Sequence, residues 1–319
     1  MKNFASKLAP VIQEYLEFRN TLGRCGRHEE YLTAFDVYYC EHHPELATLT
    51  KESVRGWVSY ETLRGRGGMY NKISAIRMLA LYMGNGAYVL PTTAVSKKPK
   101  SVPYILTDDE LFRLFSAADN VKGRTDGLLK SMLPTLLRLL YTCGLRPAEA
   151  RLLKRHTINF DTGEILIEKT KGHKERIIVM SDDMLEQCRK YDIIRMAGYP
   201  QNEYFFAYTD NIPISRHYLD RIVGRCWQQA NPDIPAKMLP KVRPYDLRHR
   251  FASTVLQKWL NEKRDLYAML PYLRAYMGHE QFSSTAYYIH LLPESLLSSS
   301  GVDWSAIDAV NPEVDVWKS

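Results

Sequence analysis

The 319-residue chain has no stretch of eighteen or more consecutive apolar residues, and its first turns are interrupted by Lys7, Pro10 and Glu14. A membrane-spanning helix and a secretory leader are therefore not expected, and the cytosol is the default compartment, with no membrane partner. Cysteine is sparse. Cys25, Cys40, Cys143, Cys188 and Cys226 are odd in number and scattered, which fits reduced thiols and not a disulfide framework. Cys25, His28, Cys40, His42 and His43 match no paired-ligand spacing, so no metal site is expected among them. Clustered carboxylates suited to a two-metal nuclease or transposase are also missing.

Cationic charge is what the chain does have. The formal net charge is +7, with a pI near 9.0. Residues 1–100 carry 14 Lys and Arg against 9 Asp and Glu, whereas residues 294–319 hold one Lys against five acids. Two basic bodies and an acidic tail suit a polyphosphate partner, because counterion release on phosphate neutralisation supplies most sequence-independent affinity for nucleic acid.

With 45% apolar residues, the chain is long enough for two domains. Apolar periodicity predicts four helices in the first part: Val11 to Leu22, His28 to Tyr39, one following Thr50 as N-cap, and one carrying Ile73, Ile76, Leu79 and Met83 before Gly84. Between the last two lies Arg64-Gly65-Arg66-Gly67-Gly68, where backbone amides and the Arg64 and Arg66 guanidinium groups can approach phosphates. Lys97, Lys98 and Lys100 mark a Pro- and Lys-rich linker at 93–103. The expected division is thus a helical domain at 1–92 and a second domain at 104–319.

Thr107 with Glu110 forms a capping box that restarts helical structure. Ser131 to Tyr141 is a leucine-dense buried helix running into Gly144-Leu145-Arg146-Pro147-Ala148-Glu149. Gly144 ends one helix, Pro147 suits the first turn of the next, and Arg146 stands at that helix start with Glu149 one turn on to orient it. Thr157 to Phe160, Glu164 to Glu168 and Arg176 to Met180 are expected as strands of a small antiparallel sheet, with Lys171 at its second hairpin tip. Helices follow over Asp182 to Met196 and from the cap Ser215 to about Ala230. Lys241 and Arg243 lead into Tyr245-Asp246-Leu247-Arg248-His249, where helical spacing lets Tyr245, Arg248 and His249 share a face opposite Leu247 and Phe251. Pro271 is expected to break or start a helix. The chain then reaches Gly278-His279 and, nine residues after His279, Tyr288. A tyrosine can act as a nucleophile when neighbours take its proton or stabilise its charge.

In this order, Gly144 to Glu149, the Lys171 to Arg176 hairpin, Asp246-Leu247-Arg248-His249, Gly278-His279 and Tyr288 resemble the tyrosine recombinase (phage integrase) family, of the transposon or integrative-element type. The resemblance covers about 104–292. It implies a mainly α fold with a small antiparallel sheet (α+β), in which a helical, SAM-like core-binding domain precedes the catalytic domain. It implies a site-specific recombinase or integrase that cuts and rejoins double-stranded DNA through a 3′-phosphotyrosine link, without cofactor or metal. Arg146 and Arg248 would grip the scissile phosphate, Lys171 would protonate the departing 5′ oxygen, His279 would be a further donor to the phosphate, Glu149 an orienting residue, and Tyr288 the nucleophile. Tyr287 competes for that last role, and spacing decides for Tyr288. Tyr245 occupies the first position of the family's His-x-x-Arg motif in place of histidine, and the adjacent His249 is the residue that could compensate. Lys174 and Arg176, with Arg64, Arg66, Lys97, Lys98, Lys100, Lys241 and Arg243, are the remaining expected DNA contacts. The resemblance further implies a dimer or tetramer on DNA, packed through the segment after Tyr288, working with other recombinases of the same element and associated with the nucleoid. The alternatives are a type IB topoisomerase-like enzyme and a DNA-binding relative whose catalysis is impaired by Tyr245.

Overall fold

In the computed structural model, residues 4–23, 26–65, 67–84, 86–91, 102–121, 128–168, 175–207 and 211–289 are described. The chain divides into two compact units, Met1–Ser101 and Val102–Ser319. The expected linker 93–103, with Lys97, Lys98 and Lys100, lies almost wholly outside the described residues, as do Cys25, Arg66, Lys171, Lys174 and everything after residue 289.

The first unit is helical: α1 (Ala9–Thr21), α2 (His28–His42), α3 (Lys51–Leu63) and α4 (Met69–Met83). Thr50 caps α3 in a reciprocal capping box with Ser53, and Gly84, at φ +74, ends α4. The apolar faces meet in one core containing Ile12, Leu32, Phe35, Trp57, Ile76 and Leu79, as the helical spacing requires. His28 bonds Tyr15 at 3.1 Å and His42 stacks on Tyr38.

The second unit begins with α5 (Asp108–Asp119), capped by Thr107 and Glu110 as the sequence predicts. It continues through α6 (Leu128–Thr142), α7 (Pro147–Arg151), a 3-10 turn at Arg155–Thr157, β1 (Glu164–Ile167), β2 (Arg176–Val179), α8 (Asp182–Gly198), α9 (Arg216–Ala230), α10 (Pro244–Asn261), α11 (Leu266–Met277) and α12 (Ser283–Ala286). Strands β1 and β2 pair antiparallel, with Ile165 opposite Ile178. Thr157 to Phe160, expected as a strand, contributes only the end of the 3-10 turn and one isolated bridge from Ile158 to Ile165. Asn159 instead turns the chain, its side-chain oxygen accepting from the Asp161 and Thr162 N–H groups.

Leucines on almost every side of α6 are buried, and this helix is the centre about which α5, α8 and α10 pack. Pro271 neither breaks nor starts a helix. It lies inside α11, whose ends are fixed by the Asp265 side chain at one end and Gly278 at the other, and whose Leu266, Leu270, Leu273 and Met277 are buried along one face. Packing of that face outweighs the one lost backbone hydrogen bond. Among the described residues, no helix is long and apolar enough to cross a membrane.

Candidate active site

The site is built around the carboxyl end of α11. Gly278 takes left-handed dihedrals, φ 64 and ψ 47, and stops the helix. Of the last helical carbonyls, that of Arg274 accepts from the His279 N–H at 3.0 Å and that of Ala275 from the Gly278 N–H at 3.1 Å. The next three are each taken by an arginine from a different element. Arg176 Nε of β2 donates to Tyr276 O at 2.8 Å, Arg248 Nη2 of α10 to Met277 O at 2.8 Å, and Arg146 Nη2, at the cap of α7, to Gly278 O at 2.5 Å. Carbonyls without helical partners sit at the negative end of the helix dipole, so cations there satisfy both hydrogen bonding and charge.

Glu149 ties the arginines to one another. It accepts from the Arg146 backbone N–H at 2.9 Å and from Arg146 Nη1 at 2.7 Å. Both arms of Arg176 reach it, at 3.0 and 2.8 Å, and Arg248 Nη1 lies 4.0 Å away. Burial opposes ionisation of this carboxyl, but bonds to Arg176 and Arg146 prevail and hold its pKa down at about 2. Three guanidinium groups against one carboxylate leave an excess of positive charge, which suits the site to an anion.

Arg248 is completely buried. Its Nη1 donates to Gly144 O at 2.6 Å, and its Nε has no hydrogen-bond partner. Burial works against its charge, as does Arg146, while Tyr288, Tyr245 and Glu149 favour it. Gly144 itself is a close-approach position. At φ +57, a Cβ there would stand 2.3 Å from the Phe251 ring.

Tyr288, just beyond α12, is 2% exposed and packs with Leu256, Leu270 and Met277. Burial pushes its phenol up to about 12, against the lowering influence of Arg248. Its ring stacks on His279, 5.9 Å between centroids at 19°. His249 flanks the same ring at 5.4 Å and Tyr245 at 4.9 Å flanks His249 in turn. The half-buried His249 has its Nδ1 unpartnered, and burial, followed by Arg248 and Arg243, lowers its pKa to about 4. Tyr245 is 39% exposed. Tyr287 meets Tyr288 edge-on at 6.2 Å.

His279 bonds through both ring nitrogens, Nε2 to Arg248 Nη2 at 2.9 Å and Nδ1 to Thr285 Oγ1 at 2.8 Å. A guanidinium can only donate, so Nε2 accepts and the proton sits on Nδ1. Burial and then Arg248, Arg146 and Arg176 lower this imidazole to about 3. His279 thus stands in this structure as an acceptor from Arg248.

Of the sequence-derived candidates, Arg146, Glu149, Tyr245, Arg248, His249, His279 and Tyr288 come together. Lys171 and Lys174 lie outside the described residues. Arg176 departs from expectation as a DNA contact: its side chain is 10% exposed and spent on Glu149 and Tyr276 O. Lys241 is exposed and Arg243 half-buried, the latter's N–H accepted by Asp246 at 2.8 Å. Arg64 is exposed, its guanidinium over the Tyr60 ring. Thr285, fully buried, is a site residue that sequence reasoning missed. Its role depends on the turn that brings α12 back to His279, and no spacing signal announces it.

A family model described as the phage integrase family matches residues 105–295. A curated relative from Sinorhizobium fredii, y4rE, whose name proposes it as an integrase/recombinase, is 28% identical over 302 residues, covering 91% of this chain and 93% of that protein. Tyrosine recombinase XerD of Staphylococcus aureus is 25% identical over 301 residues, covering 88% and 94%. Among solved structures, the XerH site-specific recombinase bound to palindromic difH substrate aligns with a TM-score of 0.60 at 20% identity, covering 83% of this chain and 76% of that one, a likeness of fold.

Proposed function

Since this chain belongs to the phage integrase family and is a tyrosine-type site-specific DNA recombinase, we propose that Tyr288 is its nucleophile and that Arg146 and Arg248 bind the scissile phosphate of double-stranded DNA. The observation carrying this reading is the convergence of Arg146, Arg248, His279 and Tyr288 on the carboxyl end of α11. The Tyr288 oxygen attacks phosphorus as its phenol proton passes to water, the 5′ oxygen of the next nucleotide leaves with a proton from Lys171, and a 3′-phosphotyrosine link remains. The two guanidinium groups stabilise the charge that gathers on the non-bridging oxygens in the transition state. A 5′-hydroxyl from a second strand reverses the step, so bond energy is conserved.

A phosphate taking up the Arg248 hydrogens releases His279 Nε2, and its negative charge favours a proton there, which turns the imidazole into the donor that the family resemblance implies. Tyr245 and His249 supply the polar neighbours beside the Tyr288 ring. Lys241 and Arg243, with Arg64, Arg66, Lys97, Lys98, Lys100 and Lys174, bind backbone phosphates. Exchange between two sites calls for a dimer or tetramer on DNA. The comparisons favour recombination over relaxation by a type IB topoisomerase.

The test is a nicked suicide duplex bearing the cognate site. Wild type is expected to trap a covalent adduct and Tyr288→Phe none; an undiminished adduct with Tyr288→Phe overturns the assignment.

A further inference from the structure

His279 and Tyr288 stand at the two ends of one short stretch of chain, and Thr285 between them bonds to both. Its side-chain Oγ1 lies 2.8 Å from His279 Nδ1, and its backbone carbonyl accepts the Tyr288 N–H at 3.1 Å. Thr285 belongs to α12, is fully buried, and donates its own N–H to Phe282 O at 2.8 Å. The other side of the imidazole sets the direction of the side-chain bond. Arg248 Nη2, which can only donate, faces Nε2 at 2.9 Å, so the ring proton is on Nδ1 and the threonine hydroxyl accepts it. The ring is thus held by Arg248 on one side and by Thr285 on the other. A phosphate that takes up the Arg248 hydrogens removes the first hold and leaves the second. From then on the orientation of the imidazole depends on the hydroxyl. Arg248 of α10, Arg146 at the cap of α7 and Arg176 of β2 oppose a second proton on this ring, and Glu149 of α7 favours one. A phosphate tips that balance at Nε2 only while Nδ1 keeps its proton on Thr285, because a neutral acceptor there serves the neutral and the protonated ring alike.

We propose that Thr285 is a positioning residue for strand cleavage: its hydroxyl holds the Nδ1 proton of His279, so that Nε2 stays directed at the phosphate once Arg248 has turned its hydrogens to that phosphate. This role rests on the reading of His279 as a phosphate ligand given above. Thr285 touches no substrate and acts through His279. Loss of its hydroxyl should leave DNA affinity alone and slow cleavage.

The test is a double-variant cycle on the rate of adduct formation with the nicked suicide duplex, where adduct accumulates irreversibly and slow variants are read over hours. The proteins are wild type, Thr285→Val, Thr285→Ser, His279→Ala, and Thr285→Val combined with His279→Ala. Valine keeps the branched shape and removes the acceptor, whereas serine keeps the hydroxyl and removes the methyl. Thermal melting and DNA binding check that each variant is folded. Thr285→Val is expected to slow adduct formation about tenfold while changing DNA affinity by less than about threefold, and Thr285→Ser to stay within about threefold of wild type. With His279→Ala already present, Thr285→Val should slow the rate by less than about twofold more, since the residue it acts through is gone. A role confined to packing gives the opposite pattern, with serine slower than valine and the valine defect undiminished without His279. The positioning role is overturned by Thr285→Val at the wild-type rate, by a folded Thr285→Ser no faster than Thr285→Val, or by an undiminished valine defect in the His279→Ala background. If His279→Ala alone forms adduct at the wild-type rate, the reading of His279 as a phosphate ligand is what falls. If it forms none, the contrast between serine and valine decides.

Discussion

The Nη2 hydrogens of Arg248 face both the Met277 carbonyl, at 2.8 Å, and Nε2 of His279, at 2.9 Å. One fully buried guanidinium thereby closes the end of α11 and fixes the tautomer of the histidine that follows it. The two expected phosphate ligands are tied to the backbone before any phosphate arrives, which leaves the Arg248–His279 hydrogen bond as the one exchanged when a phosphate binds.

The two arginines should separate in their effect on stability. Arg248→Ala leaves the Gly144 and Met277 carbonyls without their donor in a buried setting and is expected to lower unfolding free energy by roughly 3 kcal/mol. Arg146 is 25% exposed in its side chain, and Glu149 keeps Arg176 as partner when Arg146 is removed. Arg146→Ala should cost only about 1 kcal/mol. Both should abolish adduct formation. Urea denaturation beside the suicide-duplex assay checks the contrast, and equal stability losses would contradict it.

Tyr287→Phe is the companion to Tyr288→Phe. Tyr287 meets its neighbour only edge-on, so its variant should retain adduct formation within about threefold of wild type, whereas Tyr288→Phe loses it entirely. Peptide mapping of the trapped adduct should place the DNA on residue 288.

Two glycines should resist even a methyl group. Gly144→Ala combines φ +57 with a Cβ 2.3 Å from the Phe251 ring, and a loss of about 2–4 kcal/mol is expected. Gly278→Ala meets Arg176 Nη1 at 2.9 Å, at φ +64. It should cost about 1–3 kcal/mol and slow cleavage beyond what its stability loss explains. Gly26→Ala, with open space around it, is the control, expected to change stability by less than about 0.5 kcal/mol.

Acid should destabilise the second unit in two overlapping windows. His249 and His279 have folded pKa values lowered to about 4 and about 3 from 6.5. The unfolded chain then binds more protons, and stability falls as pH drops from about 6.5 through 4. Glu149, held at about 2 against 4.5, stabilises above 4.5 and loses that contribution as pH falls further. At the alkaline end Tyr288, raised to about 12 from 10, favours the folded state until pH passes about 10. Thermal melting from pH 4 to 8 should show a rising midpoint, with a shallower slope in a His249→Asn, His279→Asn double variant. A flat wild-type profile would count against these neutral imidazoles.

Salt dependence should distinguish phosphate contacts from structural cations. Replacing exposed Lys241 by Ala should reduce the slope of log affinity against log salt by about 0.9, and Arg176→Gln should leave that slope unchanged. Filter binding across a salt series measures both.

The sequence by itself determined most of the helices, their caps at Thr50, Thr107 and Ser215, the β1–β2 pair, and, through the family resemblance, which residues are candidates for the site. Each of these rests on local chemistry or periodicity, or on motifs whose order survives in one dimension. Only the tertiary structure decided how the cations are used. Arg176 and Arg248 look alike in sequence, beside other basic residues, yet both are buried on consecutive carbonyls of one helix end, because the end of a helix leaves acceptors that must be filled once solvent is excluded. The passage of α11 through Pro271, the acceptor state of His279 and the part played by Thr285 were settled by the same cause. Each depends on which partner is brought within about 3 Å across long stretches of chain, and no spacing along the sequence encodes that distance.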